Sequence, residues 1–443
     1  MLAAVSATGC GGGQPDGFAA PHDLFGDAGP APAKADGGNW PCSGLECQRV
    51  SCPAGTSTTL SGVVYTPSKD NADPVYNAVV YVPNAPLQPF TPGVACEQCG
   101  APVSGSPVAV TLSGSDGRFV LPDVPAGRDI PVVLQVGRWR KEFTLPSVVA
   151  CQDNPIPDTL THLPANHMEG EIPHIAIATG AVDPLECVLL KIGLDPDELT
   201  TPDKAGRVHV YESNGSSMTA SSPPGSALWS SLATLEQYDM VLLPCEGEPN
   251  YKPTASAQNL IDYTSAGGRV FTTHYGYVWI QGAPAPFSST ADWMPDNDDV
   301  PSPLGVTINT SFPKGQALAE WLWQAGVSPS FGQMAVYSSR HDTLKTKGAA
   351  VPWLTASVPG PSVQEYTFNT PVGVPADKQC GRVSFSDFHV NLNEMLTTSG
   401  STFPVECDAQ SSTLTAQEKV IEFMLFDLAS CIQDEMSPPS IPK

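Results

Sequence analysis

Pro173-His-Ile-Ala-Ile-Ala178 is an apolar run that reads as a buried strand, and Thr179-Gly-Ala-Val182 leads from it into a helix signature. Asp183 stands at the expected N-cap, Pro184 at the first helical position, Glu186 two residues on and Gly193 at the C-terminal end. Strand, short loop and helix in that order make one β-loop-α unit. Downstream the rhythm repeats. Val208-His-Val-Tyr211 and Met240-Val-Leu-Leu-Pro244 are further strands, and Ser256 to Ser265 sets Leu260, Ile261 and Thr264 on one helical face before stopping at Gly267-Gly268. Val270-Phe-Thr-Thr273 and Gly381-Arg-Val-Ser-Phe-Ser386 add two more strands. Thr415-Ala-Gln-Glu418 is a capping box that opens a closing helix through Phe423, Leu425 and Phe426 to Cys431. Strands alternating with helices predict a parallel sheet with crossovers, so residues 173–433 are expected to form an open, mostly parallel, flavodoxin-like α/β domain. Residues 281–370 break the rhythm with Pro, Ser and Trp around one helix at Gln316 to Gln324, and read as an insertion or lid.

Upstream of residue 173 the period is two. Six short alternating runs lie between Thr59 and Leu145, each bounded by Pro, Gly or Asn, and predict a small antiparallel β-sandwich over 56–152. Ser115-Asp-Gly-Arg118 offers a tight hairpin turn between two of them. Residues 153–172 read as a linker, 10–55 as a Gly, Pro and Cys-rich tether, and 434–443 as a short tail. The fold class is therefore multidomain, β followed by α/β.

The chain has 443 residues, with 39 Gly and 46 Pro, which favours turn-rich β structure over a helical bundle. Lys and Arg number 21 against 45 Asp and Glu, a formal charge of -24 that repels phosphate backbones and argues against nucleic acid. The one basic patch, Gly137-Arg-Trp-Arg-Lys141, reads as a strand with outward-facing cations that pair with acidic groups on the next domain. No apolar run approaches the roughly 20 residues that span a bilayer. Twelve cysteines fit an oxidising compartment. Cys96-Glu-Gln-Cys99 is the one zinc-knuckle spacing, so disulfides are the better explanation of the set.

Three resemblances add to this. Met1-Leu-Ala-Ala-Val-Ser-Ala-Thr-Gly-Cys10 resembles the end of a bacterial lipoprotein signal peptide, without its basic n-region and most of its h-region. This implies a start placed downstream of the true one, a signal remnant over 1–9 and lipid on Cys10. Leu60-Ser-Gly-Val-Val-Tyr-Thr-Pro67, Asn77-Ala-Val-Val-Tyr-Val82 and Gly114-Ser-Asp-Gly-Arg-Phe-Val-Leu-Pro-Asp-Val-Pro-Ala-Gly127 resemble the carboxypeptidase regulatory-like, transthyretin-like domain, an accessory module often associated with carbohydrate. Tyr238 to Pro244, Tyr263 to Arg269, Val270-Phe-Thr-Thr-His274 and Cys380 to His389 resemble the class I glutamine amidotransferase-like fold, and within it the ThuA-like group. Glutaminases of that fold carry a nucleophilic Cys in the turn where this chain has His274, so glutaminase activity is not expected. ThuA-like chains have a His at that turn and another late in the domain, which His274 and His389 match. The two-part design is similar to surface lipoproteins of myxobacterial type. A TIM-barrel lyase is rejected because eight βα repeats are not present.

In open α/β sheets ligands bind where loops leave the carboxyl ends of strands. That rule selects Thr179-Gly180 with Asp183 and Glu186, Cys245-Glu-Gly-Glu248, His274 to Tyr277, and Asp387-Phe-His389. Two readings of this crevice stay open. In the first, a cell-surface or periplasmic protein, anchored to the membrane by its lipid alone, displays a degenerate crevice that binds carbohydrate or a surface protein. In the second, an extracellular carbohydrate-active hydrolase or lyase uses His274 and His389 with Asp387 or Glu246 as acid and base. A divalent metal on His274, His389 and Glu246 is a candidate cofactor. Cys245 is a candidate nucleophile whose other reading is a disulfide, for instance to Cys187. Trp293, Trp321, Trp323 and Trp353 could form an aromatic surface for sugar rings.

Overall fold

In the computed structural model residues 42–442 are described, apart from 298, 391–398 and 409–412. The expected signal remnant, lipidation at Cys10 and most of the tether lie outside the described residues. Alternation makes the N-terminal strands: in Arg118–Leu121, Phe119 and Leu121 are buried while Arg118 and Val120 face solvent. Strands β1 (Thr59–Val63), β2 (Val79–Pro83), β3 (Pro107–Leu112), β4 (Arg118–Leu121), β5 (Gly127–Val136), β6 (Trp139–Val148) and β7 (Asp153–Pro155) form two sheets, β4-β1-β7 and β3-β2-β5-β6. The Asp-Gly turn at 115–118 is not a hairpin. β3 pairs with β2 and β4 with β1, so the turn carries the chain from one sheet to the other. Gly117 is required there: its φ is 70°, and an added Cβ would lie 2.7 Å from Val64 O and from Pro74 Cβ. β7 falls in the stretch read as linker and pairs parallel with β1, where the Asp153 carboxylate accepts from the hydroxyls of Thr59 and Ser61.

The rest of the chain supplies β8 (Ile175–Ala178), α1 (Leu185–Ile192), β9 (Leu199–Thr200), β10 (Val208–Tyr211), α2 (Gly225–Trp229), α3 (Leu232–Leu235), β11 (Met240–Leu243), α4 (Thr254–Ala266) and β12 (Arg269–Thr273). These are followed by β13 (Ala291–Trp293), β14 (Leu304–Ile308), α5 (Pro313–Gln324), β15 (Gln333–Val336), β16 (Thr343–Thr346), β17 (Val351–Ala356), β18 (Ser362–Thr370), β19 (Gly381–Ser386), α6 (Val405–Asp408) and α7 (Ala416–Ala429). Ten strands join in one sheet, β15-β14-β17-β18-β19-β12-β11-β8-β10-β9. From β19 to β9 every pairing is parallel. Counted from β8, the run β10-β8-β11-β12-β19 has the flavodoxin-like order 2-1-3-4-5, with its switch point between β8 and β11. Every residue of β8, β10, β11 and β12 is buried, the consequence of cover on both faces.

Residues 281–370 are not a separate lid. β14, β17 and β18 extend the sheet antiparallel beyond β19. β18 looks too polar for a core strand, yet all nine of its residues are buried, and most of its polar side chains are paired, with Gln364 Oε1 and Tyr366 OH the exceptions. Gln364 donates to Arg340 O, Glu365 accepts from Ser384 and Ser386, Thr367 accepts from Trp353 Nε1, and Asn369 accepts from Arg382 Nε.

The described residues from Ser43 onward form one compact unit, and one hydrophobic core runs from Leu60 and Val132 through Ile175 and Trp353 to Met424. Trp321 Nε1 donates to Pro74 O at 2.7 Å, and Arg138 reaches Asp239 at 2.7 Å. Arg138 thus meets an acidic group of the α/β region as expected, while Arg140 pairs with Glu171 in the stretch read as linker, and both are buried side chains and not an outward patch. Disulfides Cys96–Cys380 and Cys99–Cys431 tie the β2–β3 connection to the α/β sheet; Cys52–Cys151 and Cys187–Cys407 staple the rest. Such a set points to folding outside the cytoplasm. Among the described residues no helix is long and apolar enough to cross a membrane.

Candidate functional site

Four connections leave the carboxyl ends of β8, β11, β12 and β19 and bring Asp183, Cys245, His274 and His389 together at the switch point. Asp183 does not cap α1. Pro184 takes the N-cap position, and the Asp183 side chain is turned inward and fully buried. Its carboxylate accepts from Thr273 Oγ1 at 2.6 Å, from the Val390 amide at 2.8 Å and from His389 Nδ1 at 3.1 Å. Opposite that carboxylate, His389 Nδ1 is the ring nitrogen that carries hydrogen and donates.

His274 is the first residue past β12 and holds φ at 46°, in the left-handed region that a β-carbon disfavours. The turn closes tightly behind it. A Cβ on Gly276 would fall 1.9 Å from Thr272 Oγ1. The His274 and His389 rings stack with centroids 3.6 Å apart and planes 20° from parallel. Burial, reinforced by His389 and by the Arg340 charge, holds the His274 imidazole well below the usual histidine range, so it is neutral. Two imidazolium cations could not stack at this distance.

Cys245 follows β11 and Pro244. Its amide donates to Thr273 Oγ1 at 3.0 Å, its Sγ lies 3.4 Å from His274 Nδ1, and the Gly247 amide points at the sulfur at 3.4 Å. The thiol is free and buried, since Cys187 is bridged to Cys407 and not to Cys245. Burial, then the Asp183 charge, raises its pKa far above the ordinary thiol value. A neutral thiol beside a neutral imidazole is not the thiolate-imidazolium pair of a cysteine nucleophile.

The other expected site residues are placed elsewhere. Glu246 turns away from the histidines, gripped by Lys252 Nζ at 2.7 Å through both oxygens and by Ser213 Oγ at 2.8 Å. It stands in a salt bridge with Lys252 and is not among the residues that converge with the two histidines. Asp387 accepts from the amides of Asp342 and Thr343 at 3.1 Å each and braces that loop. Burial and the neighbouring Asp342 push its carboxyl well above the usual range. Trp321 and Trp353 are core residues, Trp323 is 50% exposed at the end of α5, and Trp293 lies half-buried against Tyr277 and Phe385, so the four make no common surface. Tyr275 does border the crevice, edge-on to His274 at 4.5 Å, with the Arg340 guanidinium 4.5 Å above its ring. The roles of Asp183 and Thr273 had no sequence signal beyond their position at strand ends.

No family model matches this chain, and no curated protein does. Among solved structures it is similar to a cytoplasmic protein of Salmonella typhimurium, STM3548, at 10% identity, over 59% of this chain and 100% of that one, with a TM-score of 0.32. A ThuA-like protein of Bacteroides uniformis is similar at 11% identity, over 54% and 92%, with a TM-score of 0.27. The N-terminal domain of mmIFT52 is similar at 9% identity, over 50% and 85%, with a TM-score of 0.29. None of these carries chemistry over to this chain.

Proposed function

We propose that this is an extracytoplasmic enzyme of hydrolase or lyase type, held at the cell surface through lipid on Cys10, whose chemistry is done in the crevice of His274 and His389. The stacked histidine pair carries the reading. A histidine forced into the left-handed region, against a second histidine oriented by a fully buried carboxylate, is a costly arrangement that packing alone does not call for. His274 and His389 are each about 5% exposed as whole residues, so a reacting group must reach a nearly buried pair. Tyr275 with the Arg340 cation beside the opening suits a polar, hydroxylated ligand, and carbohydrate is the substrate class proposed. The disulfides support the compartment.

The test is a screen of the full chain on chromogenic glycosides and on polysaccharides whose lyase products absorb in the ultraviolet. Wild-type turnover that falls to background in His274→Ala and in His389→Ala, with near-ultraviolet circular dichroism retained, supports the enzyme. A protein that binds sugar without turning it over supports the surface-binding reading instead.

A further inference from the structure

We infer that Cys245, His274 and His389 form a mononuclear zinc site, with Asp183 as the carboxylate that orients one of its ligands. The inference rests on the proposed function above and names the group that would activate water or a substrate oxygen there. One donor atom from each of the three residues lies within 4.8 Å of the others. Tetrahedral Zn²⁺ with bonds of roughly 2.0–2.3 Å sets its ligands roughly 3.5 Å apart. Cys245 Sγ and His274 Nδ1, at 3.4 Å, already have that spacing, while the two imidazoles, stacked at 3.6 Å, must turn out of their stack to aim both lone pairs at one ion.

Three features separate this group from a chance cluster. Among the described residues Cys245 is a free thiol beside cysteines that are otherwise oxidised, and it sits where it can meet two imidazoles. His389 is held through Nδ1 by Asp183, the carboxylate-histidine arrangement that sets a ligand's tautomer and aims its other nitrogen at a metal. Thr273 ties the set together, accepting from the Cys245 amide and donating to Asp183, so donors from three strand ends are fixed by one hydrogen-bonded frame. Among the described residues the other close group of metal-type side chains, Cys187, Cys407 and Glu406, cannot compete because its sulfurs are joined in a disulfide. One thiolate and two imidazoles leave a fourth tetrahedral position open, the pattern of a catalytic rather than a structural zinc. Binding breaks the Cys245 S–H bond, forms the metal–sulfur bond and releases that proton to solvent.

The experiment uses the full disulfide-bonded chain, stripped with a chelator and titrated with Co²⁺ as the spectroscopic stand-in and with Zn²⁺ in competition. Roughly one equivalent should bind, with a thiolate-to-cobalt charge-transfer band that Zn²⁺ abolishes. Cys245→Ser should lose that band, His274→Ala and His389→Ala should each weaken binding on the order of 100-fold or more, and Asp183→Asn on the order of 10- to 100-fold. Absence of the charge-transfer band in folded wild-type protein overturns the site whether or not the variants fold. Equal binding by wild type and Cys245→Ser overturns it as well. Metal bound in this way without turnover on any substrate would fail the enzyme reading and keep the site; turnover untouched by the chelator would keep the enzyme and remove the metal.

Discussion

Replacing Asp183 by Ala deletes the acceptor of three buried donors at once: the Thr273 hydroxyl, the Val390 amide and His389 Nδ1–H. Each buried donor left unmatched costs about 1–3 kcal/mol. Thr273 can rotate its hydroxyl, so two donors carry most of the loss, and the expected destabilisation is about 4 kcal/mol. Asp183→Asn keeps the shape and one acceptor oxygen but turns an amide toward donors, and should cost about half as much. Thr273→Val breaks one link of the frame and should cost about 1–2 kcal/mol. Urea unfolding with disulfides intact measures the series through the shift of midpoint at constant slope. If Asp183→Ala and Asp183→Asn both fall within about 1 kcal/mol of wild type, the carboxylate is not the frame of the site and the orientation argued for His389 fails.

Two buried carboxyls should give stability a pH dependence. Burial raises Glu365 and Glu186 from an ordinary 4.5 to about 8. In the unfolded chain these groups ionise near 4.5, while in the fold they stay protonated, so their contribution is full below that pH and falls by roughly 1.4 kcal/mol per unit and per group until about pH 8. Glu365→Gln cannot ionise, and its unfolding midpoint should gain on wild type steadily across that window; parallel curves would refute the assignment. In a Cys10→Ser background, thiol titration should find no reactive thiol in the native protein and one, Cys245, after denaturation without reductant. Arg382 is wholly buried against Asp427 and Glu435, which Lys314 also pairs, so Arg382→Met leaves two carboxylates to one cation and should cost about 3 kcal/mol, read as the same midpoint shift.

Where strands were buried on both faces they were legible, because β8, β11 and β12 are short apolar runs whose type needs no tertiary information. The capping box at Thr415 and Glu418 was legible for the same reason: both of its hydrogen bonds are local, and both are present. β18 was not. Its alternating Gln364, Tyr366 and Phe368 with Glu365, Thr367 and Asn369 reads as a surface strand, and only partners from β17, β19 and the Arg340 loop make its burial affordable. The 115–118 turn failed in another way. Asp-Gly correctly marks a turn with positive φ, but the turn's chemistry does not say which strands it joins.

The site shows where local rules stop. His274 and His389 could be picked from their places after strands, because parallel topology puts such residues on one edge whatever lies between them. Asp183 followed by Pro184 is as plain a helix start as a sequence offers, and it still misleads. A side-chain cap is worth about 1 kcal/mol. A buried carboxylate receiving the Thr273 hydroxyl, the Val390 amide and the His389 ring gains hydrogen bonds of about 1.5–3 kcal/mol each, from residues 90 and more positions away. The long-range partners outweigh the cap, so Pro184 takes the N-cap position and Asp183 is drawn into the crevice. Cys245 follows the same accounting. Its nearest reading was a bridge to Cys187, but Cys187 is bridged to Cys407, which leaves the one unoxidised sulfur among the described residues facing His274. Position along the chain identifies which residues reach the edge of the sheet; only the competition among their distant partners decides which of them meet.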